Sequence, residues 1–77
     1  MTLADLRRAQ GLTQVQVAAL MGIQQSNVSR IERTPVQQLE LLTIQRYLAA
    51  VDGRLRLIAD IGDDTVELGN TPDHPPR

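Results

Sequence analysis

The tightest constraint on this chain is the dipeptide Gly22-Ile23, which separates two helical patterns and leaves almost no chain between them. Ahead of it, Thr13 suits a helix N-cap, and Gln16 three residues on completes a capping box. Val17, Ala18 and Met21 then share one face. Behind it, a helix is predicted to start between Gln24 and Ser26 and run to about Arg33, with Val28 and Ile31 facing inward. So short a link forces a sharp corner, and Gly22 suits the left-handed backbone that such a corner needs. Ala18 is small where the two helices must approach closely, and Val17, Met21, Ile23, Val28 and Ile31 form the wedge that fixes their angle.

The flanking segments complete the fold. Thr2 suits an N-cap, Leu3, Leu6, Ala9 and Gln10 follow at helical spacing, Asp5 stands in the favoured first turn, and Gly11 ends the helix. Thr34-Pro35 is a second break. A further helix is predicted to begin between Pro35 and Thr43 and reach Val51, burying Leu41, Ile44, Leu48 and Val51, with Asp52-Gly53 as its stop. From Arg54 the period changes to two. Leu55, Leu57, Ala59 and Ile61 alternate with Arg54, Arg56, Ile58 and Asp60, the mark of a half-buried strand. Gly62-Asp63-Asp64 reads as a turn and Thr65–Leu68 as a second strand. The expected class is mainly α: four to five helices over 1–53, a short C-terminal β-hairpin or dimerising strand over 54–68, and a Pro-rich tail over 69–77 expected to be disordered.

Composition removes several functions. With 77 residues there is room for one domain. The chain has no Cys, and its lone His74 has no companion ligands, so no metal site or cofactor is expected. No nucleophile–base pair or phosphate loop is present, so an enzyme is not expected. No apolar run could span a bilayer and no signal-peptide pattern leads the chain, so a cytoplasmic protein without membrane partners is expected. The net charge is −1, but it is unevenly spread. Residues 1–50 carry Arg7, Arg8, Arg30, Arg33 and Arg46 against Asp5, Glu32 and Glu40, a net +2. Residues 51–77 carry Arg54, Arg56 and Arg77 against Asp52, Asp60, Asp63, Asp64, Glu67 and Asp73, a net −3. Local charge steers a protein to phosphate, so the N-terminal part is a candidate for nucleic acid and the acidic part faces elsewhere.

The outer side of the second helix of the corner supports that candidate. Gln24, Gln25, Ser26, Asn27, Ser29 and Arg30 are hydrogen-bonding side chains with no carboxylate among them, and Arg33 closes the same helix. Gln and Asn pair bidentately with adenine, and Arg with guanine, in the major groove of duplex DNA. Gln14, at the start of the preceding helix, is placed to meet a phosphate. The competing reading is a pair of ordinary amphipathic helices with a polar solvent face.

Gly11-Leu12-Thr13-Gln14, Gly22-Ile23-Gln24-Gln25-Ser26 and Val28-Ser29-Arg30-Ile31-Glu32 together resemble the DNA-binding domain of the lambdoid repressor and Cro family, also called the Xre family. The resemblance implies that Gln14 and Gln24 contact backbone or a first base, and that Gln25, Ser26 and Ser29 or Arg30 read bases. It also implies an ion pair between Arg7 and Glu32 joining the first and third helices, where the bland alternative is two solvated charges. The stretch from Arg46 to Ala59 is similar to the region after the helix-turn-helix in small antitoxins of the HigA and HipB kind, in which an aromatic-containing helix precedes a dimerising strand. Asp52 departs from that pattern, where Gly is usual.

A lone hairpin is marginal in water and leaves an apolar face and open edges, so a homodimer formed through Leu55, Leu57, Ala59, Ile61, Val66 and Leu68 is expected. The alternative is that Leu55–Leu68 folds back on its own helices. The leading functional expectation is a repressor that binds a palindromic operator in double-stranded DNA and, as an antitoxin, neutralises a toxin protein. A stand-alone prophage-type regulator and a protein-interaction module that docks on a toxin are the competing expectations.

Overall fold

The computed structural model describes residues 1–68. In chain order these form α1 (Leu3–Ala9), α2 (Gln14–Met21), α3 (Gln25–Arg33), a 3₁₀ turn (Val36–Gln38), α4 (Leu41–Ala50), β1 (Leu57–Ile61) and β2 (Asp64–Leu68). The tail over 69–77 lies outside the described residues.

Each early helix starts where its first-turn chemistry dictates. At α1 the Asp5 amide donates to Thr2 Oγ1 at 3.1 Å and the Thr2 amide donates to Asp5 Oδ2 at 2.9 Å. At α2 the Gln16 amide donates to Thr13 Oγ1 at 3.1 Å and the Thr13 amide donates to Gln16 Oε1 at 2.8 Å. Both are reciprocal capping boxes, which satisfy amides that a helix start leaves unpaired. Gly22 then ends α2 at φ +72. A Cβ at Gly22 would meet no atom within 4 Å, so the left-handed backbone, and not crowding, calls for glycine there. The corner is one residue longer than the dipeptide, because Gln24 serves as the N-cap of α3.

The core lies between α1, α2, α3 and α4. Val17, Val28 and Tyr47 are fully enclosed, with Leu3, Ala18, Ile31, Ile44, Leu48 and Val51 buried around them. Burial of each large apolar side chain contributes about 1.5–3 kcal/mol. Leu41 corrects the expected α4 stripe: it is 51% exposed, and Tyr47 takes the fourth buried position. The physical reason is that α4 begins at Leu41, so its first turn lies at the edge of the core, where Leu39 of the preceding segment packs instead. Asp52 follows α4 in the left-handed region at φ +66.

β1 and β2 are antiparallel, paired from Leu57 with Leu68 to Ile61 with Asp64. The turn is the two-residue Gly62-Asp63, so Asp64 is the first residue of β2 and not part of the turn. Residues 54–56 precede the strand, which corrects a strand start at Arg54. Leu55, expected on the strand's apolar face, packs instead against the helical core. Paired residues lie on the same side of a ladder, so Leu57, Ala59, Ile61, Val66 and Leu68 share one face. Leu57, Ile61, Val66 and Leu68 are exposed there, so this face does not fold back onto the chain's own helices.

Candidate nucleic-acid interface

The centre of the site is a carboxylate inside the protein. Glu32, near the end of α3, has a side chain only 6% exposed. Arg7 of α1 donates Nε to Glu32 Oε2 at 2.7 Å and Nη2 to Oε1 at 3.2 Å, and its Nη1 reaches the Leu12 carbonyl at 3.0 Å. The Tyr47 hydroxyl of α4 donates to Glu32 Oε2 at 2.6 Å, with the Leu3 carbonyl also within 3.1 Å. Gln14 Nε2 donates to Glu32 Oε1 at 2.9 Å. One anion therefore ties α1, α2, α3 and α4 together. No buried side-chain polar atom among the described residues lacks a partner.

These contacts set the charge state. Burial alone would raise the Glu32 pKa, but the hydrogen bonds from Arg7, Tyr47 and Gln14 outweigh it and hold the carboxyl below its usual range. The hydrogen bond to Glu32 strengthens the hold of Arg7 on its proton. Burial, and then the adjacent carboxylate, push the Tyr47 hydroxyl well above its ordinary value, so it stays a donor.

An ionised carboxylate only accepts hydrogen bonds, so Gln14 must turn its amide nitrogen toward Glu32. Its oxygen then faces outward and accepts from Gln25 Nε2 at 3.2 Å. The buried charge thus fixes the orientation of two surface amides in sequence. Gln25, at the start of α3, keeps its oxygen and one N–H unengaged by the described residues, the donor–acceptor pair that the major-groove edge of adenine matches.

The other sequence-selected residues fall around Gln25. Gln24, Ser26 and Asn27 are exposed on the first turn of α3 and make no side-chain hydrogen bond among the described residues. Arg33 Nη1 donates to Ser29 Oγ one turn back, which joins these two at the end of the helix. Arg30 is exposed and forms no ion pair with a described carboxylate. Gln14, Gln24, Gln25, Ser26, Asn27 and Arg30 thus surround the exposed side of α3, with Gln14 and Gln25 toward α2 and Asn27 and Arg30 toward α4, and no exposed acid of α3 lies among them.

A family model described as helix-turn-helix matches residues 3–58. The chain belongs to that family. Two solved structures share the helix-turn-helix architecture. One, of DNA-bound antitoxin HigA3, superposes with a TM-score of 0.83 at 44% identity and covers 96% of both chains. The other, of a HigA antitoxin whose dimerization is described as bending DNA, gives a TM-score of 0.79 at 46% identity and covers 90% of this chain and 92% of that one. HigA3 of Mycobacterium tuberculosis is 48% identical over 67 residues, 86% of this chain and 62% of that protein. The chain spans less than two thirds of the length of the curated relatives it matches first.

Two features beyond the corner motif are not legible in the sequence. Tyr47 lies outside the corner motif, and only the folded chain brings its hydroxyl to Glu32. Thr43 and Arg46 of α4 line a depression with Asn27 and Arg30 of α3. Arg46 adds to the basic charge of residues 1–50, but the local pattern of α4 gives neither residue a place beside α3. No helix among the described residues is long and apolar enough to cross a membrane, and no group of three or more metal-binding side chains occurs among them.

Proposed function

We propose that the chain is a dimeric, sequence-specific DNA-binding repressor. It acts as an antitoxin on the operator of its own operon and neutralises a toxin protein encoded beside it. Its role is regulatory, not enzymatic, and its setting is the cytoplasm. The observation that carries this reading is the exposed Gln25 amide, held through Gln14 by Glu32, with its oxygen and one N–H unengaged by the described residues. An adenine edge matches that pair bidentately, while Gln14, in contact with Gln25, meets the phosphate strand on that flank. The solved relative HigA3 is described as bound to DNA, and a related HigA as dimeric, which supports both parts of the reading.

Titration against the duplex upstream of its own coding sequence tests this directly. Binding is expected at about 10⁻⁸–10⁻¹¹ M, weakening steeply with added salt. Gln25→Ala is expected to cost about 1–3 kcal/mol and relax the choice at one base pair. An unchanged base preference in that variant would overturn the assignment of Gln25. The antitoxin part fails if the neighbouring gene product is not growth-inhibitory, or is inhibitory and this chain does not relieve it.

A further inference from the structure

Gln14 and Gln25 account for one flank of α3, where α2 adjoins it. The opposite flank is bounded by α4. Asn27 and Arg30 of α3 and Thr43 and Arg46 of α4 border a depression of about 180 Å³ floored by Met21, Ile23 and Ile31. Arg30 and Arg46 are exposed, and neither pairs with a described carboxylate. Two guanidinium groups, an amide and a hydroxyl thus line a surface on which no described carboxylate pairs with either arginine.

Groove dimensions say what such a surface meets. A helix with its side chains is about 10–12 Å across. The major groove is about 12 Å wide and is walled on both sides by phosphates. A helix seated there has a phosphate strand against each flank. From this we infer that Arg46, with Thr43 beside it, holds a backbone phosphate of the strand opposite to the one that Gln14 meets. Arg30 and Asn27 form the α3 side of the same clamp. The second strand is therefore gripped by α4, outside the corner motif. Together, the two flanks fix the depth and roll of α3 so that Gln25 meets its base squarely. This assignment rests on the DNA-binding reading above.

Arg46→Ala and Arg46→Lys, with Arg56→Ala as a control of equal charge change just before the hairpin, separate a local phosphate contact from a change in overall charge. The probe is a duplex selected by the wild-type protein from a randomised pool, with affinity measured across a salt series. Arg46→Ala is expected to flatten the slope of log affinity against log salt by about 0.9 per half-site, the value for one lost phosphate contact. Base preference is expected to stay unchanged. Arg46→Lys is expected to keep the slope, since a point charge still serves a phosphate. Ethylation of one phosphate per half-site should weaken the wild type and leave Arg46→Ala indifferent. An unchanged slope in Arg46→Ala, or equal flattening in Arg56→Ala, overturns the clamp while wild-type binding stands. Circular dichroism confirms the fold of each variant. Failure of the wild type to enrich any duplex would instead sink the underlying reading.

Discussion

Glu32 is a surface-type residue held inside the protein, and its environment makes a pH-dependent contribution to stability. Its folded pKa is depressed, so the contribution is complete above the ordinary carboxylate value of 4.5 and is lost as pH falls through the lower folded value. Glu32→Gln disrupts the buried pair and is expected to destabilise the protein by about 3–5 kcal/mol at neutral pH. Urea unfolding should show the gap between wild type and variant narrowing on acidification, and a gap independent of pH would contradict this. Asp52 carries the opposite kind of cost. It holds φ +66, a backbone region that disfavours L-residues by about 1–2 kcal/mol in general, and by less for Asp. Asp52→Gly relieves that cost against glycine's larger loss of chain entropy, so it is expected to stabilise by less than about 1 kcal/mol, read as a small rise in melting temperature. The departure from glycine at this position was visible in the sequence, but its backbone consequence was not.

At the scale of elements, the first two helix starts were legible because Thr2 with Asp5 and Thr13 with Gln16 carry their capping chemistry within four residues, while α4, which has no side-chain cap, was bounded only between Pro35 and Thr43. The corner was legible because Gly22 is its own signal. What eluded the sequence depended on where an element begins relative to the core. Leu41 fits the apolar period of α4 but sits at the open end of it, and Leu55 fits the strand period but is claimed by the helices. Tyr47 joins the core through a partner 15 positions away, which no local period announces. The hairpin shows the same dependence on context. Its apolar face is exposed at Ile61 (66%) and Leu68 (50%), and an isolated two-stranded sheet is marginal in water. Covering that face with a second copy removes the liability. Val66→Glu places a charge in the middle of it, opposite Ala59. Sedimentation is expected to give a dimer for the wild type and a monomer for this variant, with helical content unchanged. A variant that remains dimeric would rule out this face as the contact.

At the scale of the molecule, the uneven charge becomes sensible. The helical part presents Arg30, Arg33 and Arg46 around the α3 edge, while Asp60, Asp63, Asp64 and Glu67 lie on the hairpin. A two-fold dimer through the hairpin would present two basic edges and keep the acids together, so phosphate attraction acts where the reading side chains are. Two α3 helices so arranged should address half-sites about one DNA turn apart, on the order of 34 Å or a multiple of it. The decisive measurement is enrichment of duplexes from a randomised pool by the purified wild-type protein at low ionic strength, followed by sequencing. The expected result is an inverted repeat whose half-sites lie about one helical turn, or a whole multiple, apart. A pool that emerges with no sequence preference would contradict the central claim that α3, ordered from within by Glu32, reads DNA.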